Sequence, residues 1–539
     1  MLRPLITALM LLLPLAAIAQ SALPSPVVRA LAQAGIPESA VGIYVHEIGA
    51  GQPVVAVGAD RSLNPASSMK LVTTYAALDL LGPAYTWNTE IVADGTIAQG
   101  VLNGNLYIKG GGDPKLTLED FWLMLRNLRA RGIREIRGNL ILDRNFFAEE
   151  NHSPGGFDDQ PTRPYNTVPD ALLVNFKAVT LQFVPDATTR TVRIIAEPTL
   201  PQVQIINNLK LTDGTCGDWL GRAKADSQGN ADSARLAFSG TYALDCGENS
   251  RSYSVLGHRQ YVGALFALLW RELGGSISGQ VLDGTAPPQA RALVTTKSQS
   301  LSETVRDVNK YSNNVMARQL FLTLGLSGNN NGGTIPATTA SASTGIKQWL
   351  ALKGLAVPEL VMENGSGLSR AERISARNLG AVLLNAYASP VMPELMASLP
   401  VAAVDGTLRK RLKSAEVAGQ AHVKTGSLSG VRSIAGYVLD AQGNRVVVVF
   451  LVNHTNAFNA QAAQDALLNW VHNRDSTGCC AHLERRNQRK KLSAIRARQC
   501  GTGMDYITST SPLARAPCHD DATRIETAPE RFRRQPGPA

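Results

Sequence analysis

What this 539-residue chain lacks removes several classes of function. After residue 18 no apolar run is long enough to cross a bilayer, which takes about 20 residues, so no transmembrane segment is expected in the mature chain. None of the 8 histidines sits in a ligand pattern such as H-E-x-x-H, and the 6 cysteines have no paired-histidine spacing, so neither a metal nor another cofactor is expected. There are no tandem repeats. The formal charge of +10 comes without a recognisable nucleic-acid module, and residues 475–539 alone hold 12 Lys or Arg against 7 Asp or Glu. Half of the excess therefore lies in one terminal stretch. The rest reads as ordinary surface charge, and nucleic acid is not an expected partner.

What is present describes an exported globular protein. Hydrophobic residues make up 44% and charged residues 18%, a usual balance for a folded chain. The length exceeds one compact core, so two or three domains are expected. Arg3 precedes the apolar run Leu5 to Ile18, and Ala17-Ile18-Ala19 has the small-x-small form of a cleavage site. Residues 1–19 thus read as a signal peptide, with an uncleaved anchor as the alternative. The mature protein would be periplasmic or otherwise associated with the cell envelope. In an oxidising compartment Cys216 and Cys246 read as a disulfide, with two reduced buried thiols as the alternative. Cys479, Cys480, Cys500 and Cys518 fall in the basic tail, residues 475–539. That tail carries no apolar stripe and reads as disordered.

Hydrophobic periodicity places a hairpin at Ile43 to Ile48 and Val54 to Val57, then a helix from Ser67 to Leu81 stopped by Gly82-Pro83. Near the other end come three strand patterns, Ala421 to Thr425, Ser433 to Leu439 and Val446 to Val452, and a helix from Ala460 to Val471. Together they predict a five-stranded antiparallel sheet with helices, in an α+β fold whose sheet is built from both ends of the chain. The expected segments are 20–87 and 289–474 for that domain, with 88–288 as an inserted region of short strands. Asn329 to Ser343 reads as a surface loop.

Three motifs stand in order: Ser67-Ser68-Met69-Lys70, Ser312-Asn313-Asn314 and Lys424-Thr425-Gly426. A serine hydroxyl needs a nearby base, and a lysine three residues on shares its helix face. That lysine serves only when burial or neighbouring positive charge keeps it neutral. Alone, the first motif reads better as a helix cap beside a solvent-facing lysine, and the second better as a helix cap. Lys424-Thr425-Gly426 lies on a strand, where the glycine leaves room for substrate along the backbone. The ordered triple carries the signal.

Apart from Asn313, the set matches the S-x-x-K, S-D-N and K-T-G pattern of penicillin-binding proteins and class A β-lactamases. From about Gly42 to Arg474 the chain resembles the class C, low-molecular-mass penicillin-binding proteins, the serine D-alanyl-D-alanine carboxypeptidase/endopeptidases. The likeness includes Pro65-Ala66-Ser67, Tyr107 to Pro114, Gly365-Ser366-Gly367-Leu368-Ser369-Arg370 and Asp405-Gly406-Thr407-Leu408. The long interval between Ser67 and Ser312 fits this class better than a simple β-lactamase. The resemblance implies a penicillin-recognising serine transferase/β-lactamase-like domain acting on peptidoglycan stem peptides, with β-lactam antibiotics as inhibitors. It implies Ser67 as nucleophile, Lys70 as its base and Ser312 as proton relay. Asn314, Lys424, Thr425, Gly426 and Ser427 would bind substrate, and the backbone N–H groups of Ser67 and Ser427 would form the oxyanion hole. Asn313 stands where Asp is common, and Glu363 where the family usually has Asp. A β-lactamase or esterase using the same site, or a catalytically idle peptidoglycan-binding protein, are the rival readings.

Overall fold

The computed structural model describes residues 23–150, 153–327 and 335–474. The signal-peptide reading, the tail with its four cysteines and residues 329–334 of the expected 329–343 loop lie outside them. Where that loop was expected to end, residues Thr339–Leu352 form a helix instead, because Thr338 and Ser341 close a reciprocal capping box at its start.

The run Arg445–Asn453 explains the central sheet. Its valines alternate between two apolar layers: Val447, Val449 and Leu451 face one core, and Val446, Val448, Phe450 and Val452 face the other. A strand buried on both faces needs a continuous apolar, β-branched sequence, and this one has it. It lies in the middle of a five-stranded sheet, with Val431–Leu439 and then Ala421–Leu428 on one side, and Val41–Glu47 and then Val55–Val57 on the other. All pairings are antiparallel, and Val41 opposite Val452 joins the two ends of the chain in register. Helices Ser25–Gln33 and Gln461–Asn473 fill the layer on one face. On the other face lies the helix Lys70–Leu81, buried on nearly every side. A helix with no polar face belongs at the centre of a domain.

Residues between Asn88 and Lys297 form sheets of their own around a separate apolar core. Strand Arg291–Lys297, beyond the expected boundary at 288, pairs with Asn88–Ala93. Besides the short strands, this region holds two long helices that the strand patterns did not reveal, Leu118–Ala130 and His258–Glu272. Cys216 and Cys246 are disulfide-bonded here.

This region also grips the helices that carry the second motif. Gln319, fully buried, accepts from Asp170 N at 3.0 Å and donates to Asp170 O at 2.8 Å. Lys115 meets Asp307 at 2.6 Å. Asn175, Phe176 and Lys177 are all left-handed, and the turn packs Phe176 against Val308, Met316 and Ala317, on either side of Ser312.

Candidate active site

The first motif does not begin as an α-helix. Ala66–Met69 is a 3-10 turn, and the α-helix starts at Lys70. Ala66 holds a left-handed φ of 45°, a strained state for a residue with a Cβ. Side chains hold the turn in place. Ala66 N donates to Asn64 Oδ1 at 2.8 Å, and Asn64 exchanges hydrogen bonds with Asn453 at 2.8 and 2.9 Å. Ser433 donates to Pro65 O at 2.6 Å and lies 2.8 Å from Ser68 Oγ. The nucleophile candidate is therefore fastened to two strands of the central sheet.

Lys70 is fully buried, with Nζ 3.0 Å from Ser67 Oγ. It donates to Asn314 Oδ1 at 2.6 Å and to the carbonyl of Ser366. Burial, and then the positive charge of Lys424, push its pKa well below that of a free lysine. Both effects favour the free amine over the ammonium form.

The second motif divides its labour. Asn313 Oδ1 accepts from Met316 N at 3.0 Å and so caps the helix Asn314–Ser327, which leaves Asn314 to meet Lys70 and Ser312 to meet Lys424. The middle position thus serves the backbone, consistent with Asn standing there in place of Asp. Ser312 is left-handed at φ 56°, a second strained residue at the site. Its Oγ accepts from Lys424 Nζ at 2.8 Å.

Strand Ala421–Leu428 brings in the third motif. Lys424 is fully buried, also donates to Thr425 O at 2.7 Å, and is pushed down to about 7 by burial. Thr425 Oγ1 lies 2.8 Å from Thr407 Oγ1, and Ser427 is exposed at the strand's outer end. A methyl group on Gly426 would sit 2.2 Å from Ser433 Oγ and 2.8 Å from both Pro65 O and Ser67 N. Only glycine lets this strand lie against the serine turn. Ser67, Lys70, Ser312, Asn314, Lys424 and Gly426 are thus linked by contact, while the disulfide belongs to the other core.

Sequence reasoning gave no role to the segment between Glu363 and Glu372. Gly367, at φ 79°, packs where a Cβ would strike Ala66 O, and Ser366 supplies the carbonyl that meets Lys70. The Gly365 to Arg370 motif marked this loop without showing where it lies. A cavity of about 1030 Å³ opens behind it, lined by Phe157, Arg318, Glu363, Ser369 and Arg370 among others, but not by Ser67, Lys70, Ser312 or Lys424. Among the described residues no group of three or more His, Cys, Asp or Glu is placed to hold a metal, and no helix is long and apolar enough to cross a membrane.

Known proteins resemble this chain in sequence and fold. The D-alanyl-D-alanine carboxypeptidase DacB of Haemophilus influenzae is 26% identical over 421 residues, covering 78% of this chain and 86% of that protein. The D-alanyl-D-alanine carboxypeptidase of Actinomadura sp. (strain R39) is 29% identical over 445 residues, covering 79% and 80%. The crystal structure of penicillin binding protein 4 from Haemophilus influenzae superposes with a TM-score of 0.69 at 25% identity, over 82% of this chain and 99% of that one. The sequence profile of the D-Ala-D-Ala carboxypeptidase 3 (S13) family matches residues 25–474. The chain belongs to that family and is a serine peptidase of the D-Ala-D-Ala carboxypeptidase class.

Proposed function

We propose that this protein is an exported DD-peptidase that cleaves D-alanyl bonds of peptidoglycan stem peptides through an acyl-enzyme on Ser67, and that penicillin inhibits it by forming a stable adduct there. The observation that carries the reading is a fully buried lysine amine 3.0 Å from a serine oxygen, beside a second buried lysine. A neutral Lys70 takes the Ser67 proton as Oγ attacks the carbonyl between two D-amino acids. The N–H groups of Ser67 and Ser427 stabilise the developing oxyanion, a contribution of about 3 kcal/mol per donor. Ser312, held by Lys424, passes a proton to the leaving amine, and water then releases the acyl group. Asn314 holds the substrate amide, and Thr425 binds the terminal carboxylate.

Release of a terminal D-alanine and cleavage of a D-alanyl cross-link use the same steps and differ in the leaving amine. The inserted region, residues 88–297, shapes the cleft that chooses between them. Intact-protein mass spectrometry with and without penicillin tests the acyl-enzyme. The expected result is a persistent mass gain of one penicillin that Ser67→Ala abolishes. A folded wild-type sample that neither forms an adduct nor hydrolyses the drug overturns the reading.

A further inference from the structure

Behind Lys70 lies a carboxyl group to which the mechanism above gives no task. Glu372 is fully buried. Its Oε1 accepts from Asn364 N at 3.2 Å and Gly365 N at 3.1 Å, whereas Oε2 is buried without a hydrogen-bond partner. The turn it grips continues to Ser366, whose carbonyl meets Lys70, and Gly365 O in the same turn accepts from Thr73 Oγ1 at 2.7 Å. The carboxyl is thus one residue removed from a direct contact with the base.

The charged groups around it come from each neighbouring element. Lys70 faces it from the serine helix, and Arg318, half-buried with Nε unpartnered, from the helix Asn314–Ser327. Glu363, hydrogen-bonded by Ser369, lies within reach of Arg318, and Lys424 acts on Lys70 from the strand. Lys424 and Arg318 both drive Lys70 toward the neutral amine, and Glu372 is the one anion acting the other way. A buried carboxylate left half unpaired is costly, so its presence beside the base calls for a reason.

We propose that Glu372 is a positioning residue for acylation: it holds the 364–366 turn against Lys70, and its charge sets the pH at which Lys70 can take the Ser67 proton. This rests on Lys70 being the base for Ser67. Burial lifts the Glu372 carboxyl to about 7, so its charge changes within the working range. Ionised Glu372 favours the ammonium form of Lys70. It delays the free amine to higher pH, and it stabilises the ammonium created when Ser67 loses its proton.

The test is the rate of penicillin acylation against pH, followed by intact mass on the full chain, for wild type, Glu372→Gln and Glu372→Ala. Both variants remove the charge, and the glutamine keeps an oxygen for the two N–H groups. The acid limb of either variant should move down by about one pH unit, the size expected for losing a nearby opposite charge. The plateau should fall severalfold in the glutamine variant and further in the alanine variant. Either variant alone reads the limb. A purely structural residue would lower the rate and leave the limb in place, and that result overturns the proposal. If wild type itself forms no Ser67 adduct, the acyl-enzyme reading fails first.

Discussion

Gly426→Ala tests how closely the strand Ala421–Leu428 approaches the nucleophile. The added methyl would lie 2.2 Å from Ser433 Oγ and 2.8 Å from both Pro65 O and Ser67 N. An ordinary carbon–oxygen contact needs about 3.3 Å or more, so the strand or the serine turn must retreat by roughly an ångström. Neither has an easy way to do so. Ser433 is held by Pro65 O at 2.6 Å and Ser68 Oγ at 2.8 Å, so rotating it away forfeits two buried hydrogen bonds. Overpacking of this kind costs about 1–3 kcal/mol of stability. The larger effect falls on the chemistry, because the next residue on the strand is Ser427, the proposed oxyanion donor. Moving that N–H out of place removes about 2.7–4 kcal/mol of transition-state stabilisation, roughly a 100- to 1000-fold loss in rate. The assay is penicillin acylation followed by intact mass, beside a thermal melt of the same sample. A variant that acylates at the wild-type rate and melts at the wild-type temperature would refute the close approach.

The buried Lys424 should leave a mark on stability. Its pKa is about 7 when folded and near 10.4 when unfolded, so between those values the unfolded chain holds a proton that the folded chain has lost, and stability rises with pH. Lys424→Met should therefore lose part of the upward melting trend seen across roughly pH 7 to 10, and parallel trends would show that burial does not shift this lysine. Replacing Cys216 and Cys246 together with alanine opens a link of sequence separation 30, which by loop entropy costs about 3–4 kcal/mol. Melting should reveal that loss while Ser67 still acylates, because the disulfide and the site belong to different cores.

The elements most legible in the sequence were those with a strong local composition. The run Val446 to Val452 is continuously apolar and β-branched, and that named it a strand; that it alternates between two cores is visible only in the structure. The motifs were legible as a set because chance does not order three of them on the expected elements. What stayed hidden depends on contacts without a period. Nothing in Pro65-Ala66-Ser67 announces a left-handed Ala66 and a 3-10 turn, which exist because Asn64, Asn453 and Ser433 impose them. The burial of Glu372 is invisible for a similar reason, since Ala371-Glu372-Arg373 reads as a polar surface stretch. One miss had a readable signal. Thr117 and Asp120 form the capping box that opens the helix Leu118–Ala130, and that spacing could have found it.

The pairing of Val41 with Val452 has a consequence for how the protein comes into being. As a chain emerges from the ribosome, Ser67 and Lys70 appear early, but Lys424 and the strands that anchor the serine turn arrive only after nearly all the intervening residues. The core spanning residues 91–294 has its partners within itself and is free to fold first. The sheet must then close across almost four hundred residues of intervening chain, a slow step for any topology of such long-range contacts. Until it closes, Lys424 and Ser427 do not stand beside Ser67. A chain cut short before the last strand should therefore fail to acylate, even with Ser67 and Lys70 intact.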